Sequence, residues 1–132
     1  MNKMDISTPS KEAFIDITSK VEQEIRKMAV EKGVCLVYVP HTTAAVTINE
    51  NADPTVKQDL MMVLRKAVPD SLSYAHAEGN SPAHAKASLV GSSVAVIIEA
   101  GRPVLGTWQG IFFCEFDGPR RRQVYLKIIP DD

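Results

Sequence analysis

The sequence predicts a single-domain α+β fold, a mostly antiparallel sheet with helices packed on one side. Three observations predict it. Strand-like runs of branched and aromatic residues alternate, without linkers, with stretches whose apolar residues recur at helical spacing. Two helix starts, Asp53-Pro54 and Ser81-Pro82, carry proline in the first turn. The last third of the chain holds three strand-like segments joined by short Gly/Pro turns, the pattern of antiparallel pairing.

Residues 12–18 read as the first strand. Ser19 with Glu22 makes a capping box; Val21, Ile25, Met28 and Ala29 follow at helical spacing, and Gly33 stops the helix. Gly33 to Val39 is a strand, interrupted by Pro40, and Ala44 to Ile48 is the next. Asp53 supplies an N-cap acceptor and Pro54 the first helical position. Val56, Leu60, Val63, Leu64 and Ala67 give that helix one apolar stripe, and Pro69 ends it. Asp70 to Asn80 is polar and reads as a loop. Ser81-Pro82 starts a third helix, which Gly91 closes. Val94 to Ile98 is nearly continuous apolar, as in a central strand. A turn at Gly101-Arg102-Pro103 leads to a long strand, Val104 to Phe116. Asp117-Gly118-Pro119 turns the chain, and Gln123 to Ile129 returns as a strand.

At 132 residues the chain is one domain, residues 1–132, with 1–11 expected as a loose N-terminal arm. Fifteen basic and 16 acidic residues leave a formal net charge of -1, so no general attraction to nucleic acid or to an anionic membrane is expected. The first residues lack the apolar core of a signal peptide. No apolar run approaches the ~20 residues of a membrane span. Cys35 and Cys114 lie in apolar runs and read as buried, reduced thiols. A cytoplasmic protein fits these features.

All three histidines fall in two polar stretches. One is His41-Thr42-Thr43, followed by Asn49-Glu50-Asn51 and Asp53. The other runs from His76 through Glu78, Gly79 and Asn80 to His84. Histidine serves proton transfer and metal ligation near neutral pH. Pro82 places His84 in the first turn of its helix, where the dipole disfavours protonation and amides can hold a phosphate. His76 and Glu78 alternate, so both can point to one side, and Gly79 lets the backbone turn back. His41 arrives from a strand end. Three imidazoles with a carboxylate or water suit zinc or a similar divalent ion. Proton transfer, phosphate binding and plain loop hydrogen bonds remain open for the same residues. Asp53 also reads as a helix cap, and Asn49-Glu50 as turn formers. Thr42 and Thr43 read either as phosphate ligands or as strand residues.

A third constellation is Gly106-Thr107-Trp108-Gln109-Gly110, continuing to Glu115, Asp117, Arg120 and Arg122. Trp108, the one tryptophan, lies near two glycines in the expected long strand. It reads as a core ring packed over glycine or as a platform for a ligand. The charged residues read as a cross-hairpin ion pair or as an arginine fork for a pyrophosphate.

Taken in order, His41-Thr42-Thr43, Asn49 to Pro54, His76 to Asn80, Ala83-His84, Gly106 to Gly110 and Glu115 to Arg120 resemble the YjbQ-like family, also called the secondary thiamine-phosphate synthase family. The match runs from about residue 12 to 129. The resemblance implies a compact α+β fold, a homotrimer, and a polar pocket around the three histidines near a subunit boundary. It further implies attack of a thiazole phosphate nitrogen on the methylene of a pyrimidine pyrophosphate, releasing pyrophosphate, as a main or a side activity. On this view His41, His76, Glu78, His84 and Arg120 do the chemistry. Thr42, Thr43, Asn49, Asp53, Asn80, Trp108 and Gln109 bind the small phosphorylated substrate. His41, His76 and His84 are the candidate ligands of a divalent ion, zinc or magnesium, and no organic cofactor is expected. The alternatives are a metal-dependent hydrolase of a phosphorylated metabolite and a non-catalytic metabolite-binding trimer.

Overall fold

A computed structural model describes residues 1–132. The chain forms two antiparallel sheets and three helices. β1 (Asn2–Ser7), β8 (Arg121–Pro130), β3 (Gly33–Tyr38), β5 (Ser93–Glu99) and β6 (Arg102–Pro103) lie in that order in the larger sheet. β2 (Ala13–Asp16), β7 (Gln109–Glu115) and β4 (Ala44–Glu50) make the smaller one. The α+β class and its antiparallel character match the expectation, but the strands divide between two sheets.

The main core lies between the sheets. Met4, Ile6, Cys35, Val37, Val96, Ile98, Val124 and Leu126 of the larger sheet meet Ala44, Val46, Ile111 and Phe113 of the smaller one. Helix α1 (Thr18–Met28) closes this core with Val21 and Ile25. A second core lies on the other face of the smaller sheet. There α2 (Pro54–Ala67) and α3 (Ser81–Val90) cover Ala45, Cys114 and Phe116 with Met61, Ala83 and Ala87. Central β7 is therefore covered on both faces, and all but its first residue is buried. Burial of each such large apolar side chain is worth about 1.5–3 kcal/mol. Both cysteines are buried and free, and burial pushes the Cys35 thiol up to about 11.

Several expected boundaries move. The N-terminal arm is not loose: β1 pairs with β8 from Asn2↔Leu126 to Ser7↔Arg121, because Met4 and Ile6 alternate into the core. The Ser19/Glu22 box does not form. Instead the Asp16 carboxylate accepts from the Thr18 backbone N–H at 2.9 Å and its hydroxyl at 2.6 Å. α1 ends at Ala29, which takes the left-handed conformation at φ 55°, rather than at Gly33. Gly33 opens β3, where a β-carbon would overlap the Ile129 carbonyl. α2 starts as expected, with Asp53 accepting from the Thr55 amide. Its inward face is Lys57, Met61 and Leu64, continued by Val68 just past its end, while Val63 and Ala67 of the expected stripe are exposed. The long strand from Val104 shortens to β7 because a turn closes at 106–109: the Gln109 amide donates to the Gly106 carbonyl at 3.0 Å. β5 is one strand in from the sheet edge, and Ile97 on its outer face is 59% exposed.

Candidate functional site

β3 stops at Tyr38, and Val39-Pro40 carries the chain to His41 and Thr42 just ahead of β4. α3 begins after Asn80, which puts His84 in its first turn with its amide on the Asn80 carbonyl at 3.3 Å. His84 and Ser88 are four residues apart and share one helix face. These residues, with Gly91 and Ser92, line an open recess of about 470 Å3. His76 comes from the preceding loop, and its ring meets the His84 ring edge to face, centroids 5.4 Å apart at 87°. His76 Nε2 stands 4.0 Å from the Glu78 carboxylate, with both side chains largely exposed.

His41 is held in one state. The Gln123 backbone N–H donates to its Nε2 at 2.9 Å. A backbone amide only donates, so Nε2 carries no proton and the neutral ring keeps its hydrogen on Nδ1. Burial, and then the Arg122 charge, hold the His41 pKa below the ordinary histidine range against the opposing pull of Glu115. His41 is thus a hydrogen-bond donor with no free lone pair. No three His, Cys, Asp or Glu side chains of the chain gather to hold a metal ion. The expected ligand set of His41, His76 and His84 is therefore not formed within one chain, and these residues do not fit a zinc or magnesium ion there.

The expected phosphate contacts at α3 also change. The Ala83 and His84 amides are taken by the Asn80 carbonyl, and Pro82 has none to offer. Asn80 turns its side chain to the β7–β8 hairpin, where Nδ2 donates to Asp117 Oδ2 at 2.9 Å. Arg120 donates to the same oxygen at 3.1 Å and, through Nε, to the Asp117 carbonyl at 2.7 Å. Half of the Arg120 side chain is exposed, and its remaining N–H groups have no partner within the chain. Burial would raise the Asp117 pKa, but Asn80 and Arg120 outweigh it and hold the carboxyl low.

Thr43 is structural. It is buried, and its hydroxyl accepts from Arg122 at 2.8 Å. Arg122 in turn binds both oxygens of Glu115, one of them at 2.8 Å through Nε. Thr8 donates to Glu115 at 2.8 Å, and the Phe116 and Asp117 amides donate to its other oxygen. The expected cross-hairpin ion pair therefore forms between Glu115 and Arg122, but it is buried: Glu115 is 0% exposed.

Four expected substrate contacts lie elsewhere. In the β4–β7 pairing, Ala44 faces Glu115 at one end and Glu50 faces Gln109 at the other. Six residue steps at ~3.3 Å separate the ends by about 20 Å. Asn49, Asp53, Trp108 and Gln109 cluster at the end away from the recess. Asn49 binds the Glu50 amide, Asp53 caps α2, and Gln109 Oε1 accepts from the Gly106 amide at 2.7 Å. Trp108 sits in the turn and is 62% exposed, so it is no core ring; within one chain it cannot stack on a ligand held by His41 and His84. Residues missed from the sequence are Ser88 and Ser92 in the recess. The four-residue step from His84 to Ser88 was the available signal for one of them; Ser92 carries none.

The double antiparallel sheet and the histidine-lined recess define a small α+β protein with a polar concavity where β3 ends and β4 begins. The chain belongs to the family described as UPF0047 protein YjbQ-like, whose family model matches residues 2–131. It is 54% identical over 129 residues to a UPF0047 protein of Methanocaldococcus jannaschii, covering 98% of this chain and 94% of that one. It is 48% identical to the UPF0047 protein YugU of Bacillus subtilis, covering 98% of each. Among solved structures, it resembles an uncharacterized YjbQ/UPF0047 protein of Clostridium acetobutylicum at 51% identity and TM-score 0.95, covering 98% of this chain and 100% of that one. It also resembles a protein of unknown function from Sulfolobus solfataricus at 32% identity and TM-score 0.94, covering 98% and 96%. These names state no activity.

Proposed function

We propose that this chain is a cytoplasmic transferase acting on small phosphorylated metabolites, of the thiamine-phosphate synthase type. In that reaction a thiazole phosphate nitrogen forms a bond to a pyrimidine methylene. The methylene–oxygen bond breaks, and pyrophosphate leaves with the electron pair. The chemical demand is stabilisation of a departing polyanion. One observation carries the reading: the Gln123 amide fixes His41 so that its Nδ1–H is a permanent donor beside His84 in one recess. Thr42, Ser88 and Ser92 add hydroxyl donors there. Arg120, held by Asp117 with N–H groups to spare, supplies positive charge nearby. His76, whose ring meets that of His84, and Glu78 beside it are the mobile-proton candidates. The hydrolase alternative, which needs three metal ligands, finds less support because the His41 lone pair is engaged.

The reading includes a homotrimer. Its support is the outer face of the larger sheet, which no helix covers. Val34, Ile97 and Ile129 align across β3, β5 and β8, with Leu36 and Ala95 in the next row. Exposed apolar area of this extent marks an interface.

The test is pyrophosphate release, followed by phosphorus NMR, from purified protein with both substrates and with each alone. Release that requires both is expected. His41→Ala, His84→Ala and Arg120→Ala should each slow it about 100-fold, the effect of losing one donor to developing charge, with little change in Tm. Release by either substrate alone would point to a hydrolase, and full rates in all three variants would remove these residues from the site.

A further inference from the structure

The larger sheet has one long edge that its own chain leaves open. β1 closes the sheet on the side away from β5, and no element but β8 runs alongside it. The Thr8 amide donates to the Arg120 carbonyl at 2.9 Å, in register with Met4↔Val124 and Ile6↔Arg122. The backbone groups of the even-numbered residues therefore face β8, and the N–H and C=O groups of Lys3, Asp5 and Ser7 point outward. All three residues are exposed. Unpaired edge groups of this kind are a template for another strand.

The side chains on that edge select which strand. Lys3 and Asp5 are two residues apart and share the outer face of the sheet. Neither has an ion-pair partner in its own chain. The Lys3 ammonium lies 5.3 Å from the Tyr125 ring, and Asp5 accepts from Gln123 Nε2 at a long 3.4 Å. Charges of one sign on an edge strand repel a second copy. Opposite charges two residues apart leave one register free of that repulsion. When two β1 strands pair antiparallel, odd residues must face odd residues for the outward groups to bond. Setting Lys3 opposite Asp5 of the second copy repeats itself across the two-fold axis. Both charges of both copies are then matched, and Met4 meets Met4 on the core side. Sliding by one bonding step sets Lys3 opposite Lys3 in one direction and Asp5 opposite Asp5 in the other, and like charges directly opposite are destabilising.

We propose that β1 is a docking edge for a second copy of this chain, joined antiparallel about a two-fold axis at Met4, with Lys3 of each copy opposite Asp5 of the other. The two larger sheets then run on as one. The contact is a single strand wide, so the association is weak and concentration-dependent rather than permanent. It uses no residue of the recess and leaves the apolar outer rows of the sheet free. It therefore goes beyond the transferase reading and is compatible with three copies joined through that face.

The experiment is sedimentation velocity of the full chain from micromolar to millimolar concentration. The number of copies in the particle should double over that range, from one to two or, where the outer face joins three, from three to six. Lys3→Asp sets like charges opposite each other at both ends of the pair, as does Asp5→Lys, and each should weaken the doubling by about tenfold or more. Exchanging both, Lys3→Asp with Asp5→Lys, restores opposite charges and should restore the doubling. Hydrogen exchange gives a second measure: the Lys3, Asp5 and Ser7 amides should gain protection as the wild-type concentration rises. No doubling at millimolar concentration, unchanged doubling in both single variants, a double variant as weak as the singles, or growth past a doubling into open chains would each overturn the proposal. Pyrophosphate release and the copy number at micromolar concentration play no part in the readout, so this proposal and the transferase reading fail separately.

Discussion

At Gln123 a backbone amide points into the imidazole of His41 and decides what that ring can do. The expected measurement is a long-range 1H–15N spectrum with the His41 proton on Nδ1, the reverse of the tautomer usual in free imidazole side chains. Its titration midpoint should fall below the ordinary value near ~6.5. A folded-state pKa below the unfolded one means the unfolded chain binds more protons. The His41 contribution to stability is therefore complete above the unfolded pKa and declines as pH falls through it. A proton on Nε2 at neutral pH would remove His41 as a fixed donor. Glu115 is the second decisive residue. Burial would raise its pKa, but Arg122, the Asp117 amide and Thr8 hold it low. Its stabilising effect is present above the unfolded carboxylate value and is lost as pH drops toward the folded one. Arg122→Ala strands a buried carboxylate and should cost about 3–5 kcal/mol in urea unfolding. The double change Glu115→Leu with Arg122→Met should recover much of that loss, because an apolar pair needs no desolvated charge. A double variant as unstable as the single would contradict this account. The sequence showed the residue types of both sites, yet neither the Gln123 contact, 82 positions from His41, nor the burial of Glu115 follows from local pattern.

Among the elements, the start at Asp53-Pro54 was legible because capping and proline act within a few residues; the start at Ser81-Pro82 rests on proline alone, since Ser81 lies inside α3 and Asn80 at its N-cap makes no side-chain cap bond. Asp53→Ala should lower Tm by a few degrees and leave the recess chemistry untouched, since Asp53 lies at the far end of the β4–β7 pair. A lost activity in that variant would bring the two ends of the pair together in function. The start of α1 is not legible in a local cap pattern, because its first-turn acceptor, Asp16, belongs to the end of β2 rather than to the helix. The turn at 106–109 was hidden inside a strand-like run, because besides its backbone bond it is fixed by the Gln109 side chain, which accepts from the Gly106 amide.

For the whole molecule, two sheets share one core, and the larger keeps an apolar outer face. If that face joins three copies, Ile97→Glu should convert a trimer to a monomer in sedimentation velocity, while the smaller sheet and its helices stay folded. A wild-type monomer at micromolar concentration would overturn the trimer. The nearly continuous apolar run of β5 looked like a strand covered on both sides. It is covered on one side by its own chain, and Ile97 on the other is exposed.

Residue order alone was enough for the α+β class, for α3, β5 and β8, and for the two proline-led helix starts. These rest on periodicity, capping and motif, all of which operate over short separations. The division into two sheets, the tautomer of His41, the burial of Glu115 with Arg122, and the separation of Trp108 from the histidines came from long-range pairing. A strand that crosses a sheet sends its two ends about 20 Å apart, and nothing in a local pattern says which end a given side chain will reach.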